Sequence, residues 1–253
     1  MNFDDPIYEG TLLKRYKRFF ADIHFNGETI VAHVPNTGSM KGLLGPMSPC
    51  RFSKNEDPNR KLKYTLQMIK TATSWVGVNT GLPNKLAWEA FENKQMPHWL
   101  PYCGGRLEVK INDQSRIDMA LWKNTSFNPE KKWNADYFKN NQLHFVEVKN
   151  VTLSEKHSNS RVAQFPDSVT TRGQKHLEEL ILLMEQGHTC EMLYVIQRSD
   201  CDAFEPAAQI DPDYAGLLKK AVKKGLQITA VPCTIDHAKI QLNCQSCLPI
   251  QGI

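Results

Sequence analysis

The strand-like run FVEVKNVTL (145–153) carries two charges where burial is expected. Side chains alternate along a strand, so Glu147 and Lys149, two residues apart, share one face. SRIDMALW (115–122) places Asp118 on a face with Arg116 and Ala120, opposite Ile117, Met119 and Leu121. Two carboxylates on neighbouring strands suit a hard divalent cation, Mg²⁺ or Mn²⁺, of the kind that phosphodiester hydrolysis uses. In that chemistry Asp118 and Glu147 are metal ligands, and Lys149 activates the attacking water or stabilises charge developing on phosphate. Two helical residues join the set. Glu89, on a helix opened by Pro83, is expected on the stripe of Leu82 and Leu86 as a further ligand through water. Gln174, on the stripe of Leu177, Leu180, Ile181 and Met184, is expected to position the water or Lys149.

Elements follow from the same periodicities. Residues 1–82 hold short alternating runs with Gly/Pro turns and an Asn26-Gly27 hairpin signal, predicting an OB-like β-barrel. Residues 83–253 are expected to form a second domain, a mixed sheet flanked by helices, so the whole is a two-domain α/β (α+β) protein. GRLEVKI and SRIDMALW read as a hairpin, and helices are predicted over SVTTRGQKHLEELILLMEQG and, with Asp211 as N-cap and Pro212 at its first position, over DPDYAGLLKKAVKKG. SEKHSNSRVAQFPD reads as a polar loop and Lys123–Gln142 as a surface excursion.

Charge narrows the class of partner. The formal net charge is +4; residues 1–82 hold 11 Lys/Arg against 7 Asp/Glu, while the remainder is balanced at 20 each. Lys14, Arg15, Tyr16, Lys17 and Arg18 make a basic strand with an interleaved aromatic, expected either to hold nucleic acid (DNA, RNA or both) or to guard a sheet edge. No membrane partner is expected: the start of the sequence lacks the basic residues of a signal peptide, and the longest apolar run, LILLM, is far below a span. Seven cysteines, odd in number and scattered, argue against a disulfide framework and for a cytoplasmic, reduced protein.

The order of Asp118, Glu147-Val148-Lys149 and the flanking Glu89 and Gln174 resembles the PD-(D/E)xK nuclease superfamily. An E-x-K alone is a loose signal, since Glu108-Val109-Lys110 also fits and reads as a solvated face. The longer blocks GTLLKRYKRF, HVPNTGSM, SRIDMAL, FVEVKNVTL and FPDSVTTRGQKHLEEL are, in that order, similar to the sugar fermentation stimulation protein A family. That resemblance implies an N-terminal OB-like domain, a nuclease-like second domain, DNA binding, and a cytosolic protein linked to regulating sugar (maltose) metabolism. Asn36, Thr37 and Gly38 read either as a simple turn in a polar loop or, as the resemblance implies, as substrate contacts, for instance with backbone N–H groups to phosphate.

Bland alternatives stand beside these expectations. Glu147 and Lys149 would make an in-sheet ion pair, Gln174 a core amide, Glu89 an exposed helix carboxylate. Buried ion pairs are weak stabilisers, so a third carboxylate beside one favours a metal site. Cys244-Gln-Ser-Cys247 lacks a second ligand pair and reads as free thiols. Two functions follow: a Mg²⁺-dependent nuclease, or a DNA-binding regulator of nuclease-like fold that does not cut.

Overall fold

The computed structural model describes residues 1–126 and 141–253, so most of the Lys123–Gln142 segment lies outside the described residues. Six strands, β1 (Ile7–Tyr16), β2 (Phe20–Phe25), β3 (Glu28–His33), β4 (Ser48–Lys54), β5 (Tyr64–Lys70) and β6 (Trp75–Gly77), run in the order β3-β2-β1-β4-β5-β6. A parallel β3–β5 pairing, Ala32 with Tyr64 and His33 with Thr65, closes them into a barrel. A register shift between Leu12 and Lys14 lets the long β1 bend and pair with both β2 and β4. Leu12, Ile23, Phe52, Leu66 and Val76 fill the interior, each buried side chain of this size stabilising by about 1.5–3 kcal/mol.

The barrel departs from the sequence reading in two places. Strand β4, not foreseen, is central. The basic run is also no single strand: it turns at Lys17 and Arg18, whose φ values of 46° and 64° are left-handed without glycine. Arg18 therefore sits on a hairpin tip rather than beside Lys14 and Tyr16. The Asn26-Gly27 turn has the expected positive φ at both residues, 51° and 83°.

The second sheet runs β15-β14-β12-β9-β8-β7, from β7 (Gly104–Asn112), β8 (Ser115–Trp122), β9 (His144–Val151), β12 (Thr189–Ile196), β14 (Gln227–Ile235) and β15 (Ile240–Leu242). Strand β9 is parallel to β12 and antiparallel to β8. Both faces are covered, which is why these strands read as nearly continuous apolar runs. Helix α1 (Pro83–Glu92) packs Leu86, Ala87 and Ala90 on Val146, Val148 and Leu193. On the other face α2 (Thr171–Glu185) and α3 (Pro212–Lys223) pack Leu177, Leu180 and Leu218 on Phe145, Met192 and Tyr194. Thr170 caps α2 by accepting from the Gly173 N–H, and Asp211 caps α3 by accepting from the Tyr214 N–H, the latter as expected.

SEKHSNSRVAQFPD is not a loop. It holds β10 (Ser154–Lys156) and β11 (Arg161–Phe165), which with β13 (Ala203–Pro206) form a three-stranded sheet. The buried Gln164 there donates to Glu155 and Glu205, a polar face without the alternation by which strands are recognised.

Candidate active site

The site forms where β8 and β9 part. Their register pairs Leu121 with His144, Ala120 with Phe145 and Met119 with Val146, and goes no further. The Val148 N–H, freed from the ladder, donates instead to Asp118 Oδ2 at 2.8 Å. Asn84, in the first turn of α1, donates to Asp118 Oδ1 at 2.7 Å. Asp118 is thus fixed at both oxygens, yet burial, reinforced by the nearby Glu147 charge, pushes its carboxyl up to about 6.

Glu147 is the more deeply buried partner, 1% exposed. Burial alone would raise its pKa; the charges of Lys149 and His176 and their hydrogen bonds more than offset that and hold it below the ordinary range. Lys149 Nζ donates to Glu147 Oε1 at 2.6 Å, and His176 Nδ1 meets the same oxygen. The other oxygen, Oε2, is buried and has no hydrogen-bond partner among the described residues. An ionised carboxylate with one oxygen doubly held and the other unpaired fits a group whose missing partner is a cation. Asp118, Glu147, Lys149, His176, Asn84 and Arg172 all line one pocket of about 260 Å³.

Two expected members are engaged elsewhere. Gln174 donates to both oxygens of Asp211, at 2.9 and 3.2 Å, and so ties α2 to the cap of α3. Two residues along a helix is about 200°, so a helix that aims His176 at Glu147 aims Gln174 away. Glu89 pairs with the Met1 ammonium at 2.8 Å; Asn84, nearly half a turn around α1 from it, is the residue that reaches Asp118. The sequence reading missed Asn84, His176 and Arg172. The i, i+4 spacing of Arg172 and His176 was the available signal, overshadowed by the apolar stripe one step around the helix.

The barrel meets this site through the HVPNTGSM loop. Thr80, which lines the pocket, donates its N–H and hydroxyl to the Pro35 carbonyl. Arg15 donates from Nη2 to the Asn36 carbonyl and from Nε to that of Arg18, so it braces the hairpin tip against the loop. Of the three backbone N–H groups expected to meet phosphate, that of Gly38 is already used, donating to Asn36 Oδ1; the neighbouring Ser39 N–H donates to Asp167 Oδ2. Gly38 has a steric role, because a Cβ there would lie 2.7 Å from Asp167 Oδ2. Thr37 is exposed. Lys14 pairs with Asp22 at 3.2 Å, and Tyr16 stacks on Phe20 at 5.6 Å, while Lys17 and Arg18 are exposed at the tip.

Other clusters lie apart. Glu155, His157 and Glu205 have ligand-type atoms within 4.8 Å of one another on the small sheet. Glu191, fully buried, accepts from Trp99 Nε1 and contacts Nε2 of both His98 and His144. Glu108 and Lys110 are exposed, as expected of a solvated face. All seven cysteines are free. No described helix is long and apolar enough to cross a membrane.

A closed OB barrel leading into a two-faced α/β sheet, with two carboxylates and a lysine where two central strands part, defines a two-domain α+β protein. The two halves match separately described families: residues 13–78 match the SfsA N-terminal OB domain, and residues 81–239 the sugar fermentation stimulation protein RE domain. This chain belongs to the sugar fermentation stimulation protein family. A sugar fermentation stimulation protein homolog of Bdellovibrio bacteriovorus is 45% identical over 99% of this chain and all of its own length. That of Geotalea uraniireducens is 44% identical, covering 91% of each chain. Among solved structures, SfsA of Pyrococcus furiosus, determined in complex with Ca²⁺, shares the fold with a TM-score of 0.81 over 99% of this chain and 98% of its own, at 22% identity.

Proposed function

We propose that this protein hydrolyses phosphodiester bonds in nucleic acid, DNA or RNA, with Mg²⁺ or Mn²⁺ held by Asp118 and Glu147. The observation that carries this is the partnerless Glu147 Oε2, buried beside a second carboxylate whose burial disfavours its charge. Glu179, paired with Lys175, also has a buried unpaired oxygen, but of the two only Glu147 has a second, half-buried carboxylate, Asp118, lining the same pocket. The Ca²⁺ complex of the Pyrococcus furiosus relative is consistent with a hard-cation site in this fold.

When bound, the divalent ion would polarise the phosphate and lower the pKa of a water. The remaining work falls to the chain's own groups. Lys149 Nζ, anchored on Glu147 Oε1, presents a positive charge to the attacking water and to the phosphate oxygens as charge accumulates on them. His176, on the same oxygen, helps fix the Glu147 side chain beside Lys149. Asn84 and the Val148 N–H hold Asp118. Lys17 and Arg18, on a tip braced by Arg15 to the loop that abuts the pocket, offer charge to the phosphate backbone.

The test incubates purified protein with single- and double-stranded DNA and with RNA, in Mg²⁺, Mn²⁺ or EDTA. Metal-dependent cleavage, lost in Asp118→Asn and Lys149→Ala, is expected. Binding without cleavage of any substrate would replace this reading with that of a non-cleaving DNA-binding regulator, and cleavage by both variants at the parental rate would displace the site.

A further inference from the structure

Resting on that phosphodiesterase reading, we propose that the cavity adjoining the carboxylates is a second phosphate subsite, built by Arg116, Arg172 and Lys175, which takes the phosphate next to the one cleaved. The cavity measures about 490 Å³ and shares Asp118, Arg172 and His176 with the site pocket, so a strand leaving the carboxylates enters it directly.

Its charges favour an anion. Lys110 and Asp113, on the β7–β8 turn, satisfy each other at 2.8 Å. Arg116 and Arg172 are exposed, and among the described residues neither is paired with a carboxylate; Arg172 has a hydrogen bond at 3.5 Å to His176 Nε2. Among the described residues Lys175 has one long contact, 3.9 Å, to Glu179. Against these three cations stand Glu108, which is exposed, and Asp118, whose charge the divalent ion would offset. Asn112 and Gln114 add neutral donors to the wall.

The spacing matches a polymer. Arg116 lies two residues from Asp118 on the same face of β8, about 7 Å along the strand, comparable with the separation of neighbouring phosphates in an extended nucleic-acid chain. Arg172 and Lys175, at i and i+3, share the α2 face that looks across the cavity. Arg172 belongs to both cavities, and so stands between the scissile phosphate and its neighbour. A second phosphate held this way makes a nucleic-acid strand, rather than a mononucleotide ester, the preferred substrate.

Arg172 also borders the carboxylate pocket, so the test uses Arg116 and Lys175. Binding of a labelled single-stranded oligodeoxynucleotide by the full-length protein is measured against salt concentration, with Ca²⁺ in place of Mg²⁺. The slope of log affinity against log salt is expected to shrink by about 0.7–1.4 in Arg116→Ala/Lys175→Ala, as one or two phosphate contacts are lost. Arg116→Lys/Lys175→Arg should retain the parental slope, and so should Lys219→Ala/Lys220→Ala, which removes two exposed charges from α3. A parental slope in the first variant, or an equal loss in the α3 variant, overturns the subsite while leaving the phosphodiesterase reading standing. A parent that neither binds nor cuts any nucleic acid overturns both.

Discussion

Asp118 is the residue where stability and chemistry oppose each other. Its carboxyl is raised from 3.8 to about 6, so the folded protein holds that proton more tightly than the unfolded chain. For a raised carboxyl the favourable contribution is complete below the unfolded value and is lost as pH rises through about 6. At neutral pH without metal, Asp118 therefore costs the fold about 1–3 kcal/mol. Asp118→Asn removes the charge while its amide oxygen still accepts from Val148 and its NH₂ can donate to a reoriented Asn84. In EDTA at pH 7.5 this variant should melt several degrees above the parent, the gap closing as pH approaches 4. Mg²⁺ should raise the melting temperature of the parent and leave that of the variant nearly unchanged. A variant less stable than the parent at neutral pH would refute the assignment.

Lys149 predicts a different pattern. Its ammonium is nearly buried and held by Glu147, so Lys149→Met removes the charge and keeps much of the stem. Cleavage should fall by about 100-fold or more, the order seen when one electrostatic stabiliser of a transition state is removed. Oligonucleotide binding in Ca²⁺ should change by only a few-fold. Binding and cleavage lost in equal measure would make Lys149 an anchor for the ground state instead.

At the scale of elements, the helices show how close a periodicity argument comes and where it stops. The stripe through Leu177, Leu180 and Ile181 located α2 and its buried face, and Asp211 with Pro212 located the start of α3. The polar residue expected in the site, Gln174, was then taken from the apolar stripe itself. His176, which reaches Glu147 on the sheet, and Arg172, which contacts His176, lie on the stripe's flank, where the helix passes over the gap between β8 and β9. That gap is a matter of register, which no single strand's pattern reveals. Glu147 and Lys149 were legible because alternation fixes a face without knowledge of the partner strand. Asn84 and the Glu191 cluster were not, since each depends on residues brought together from distant segments.

Gln174 yields the prediction for this scale. Its amide joins the start of α2 to Asp211, which also accepts from the Thr170 and Tyr214 N–H groups. Gln174→Ala should lower stability by about 1 kcal/mol and leave the rate of cleavage at saturating substrate within about twofold of the parent. Asp211→Ala, stripping three donors of one acceptor, should cost more, about 2–3 kcal/mol. Thermal melts paired with cleavage rates separate the two effects. A large drop in rate for Gln174→Ala without loss of stability would return that residue to the chemistry.

For the whole molecule, the question is what couples the barrel to the site 100 residues further along the chain. Besides the bonds from Thr80 to Pro35, three groups of contacts among the described residues run toward the site. The Gly77 N–H donates to the Gln197 carbonyl at 2.8 Å; the Gln197 side chain donates to the Asn79 carbonyl and to Asn150, next to Lys149; and Ser39 donates its N–H and hydroxyl to Asp167. The last of these sits at the loop that Arg15 braces, between the hairpin tip of Lys17 and Arg18 and the pocket. Charge at the tip is therefore presented at a fixed place relative to the carboxylates, which, on the proposed function, would concentrate a nucleic-acid strand at the site without touching the reacting bond. Lys17→Ala/Arg18→Ala should weaken oligonucleotide binding and shrink the salt slope by about 1.4, two phosphate contacts on a single strand. Asp167→Ala keeps every cation but releases Ser39. Its salt slope should stay parental, while KM for cleavage rises several-fold because the tip is no longer held in line with the pocket. If Asp167→Ala leaves KM unchanged, the barrel binds nucleic acid independently of the site, and the loop contact serves stability alone.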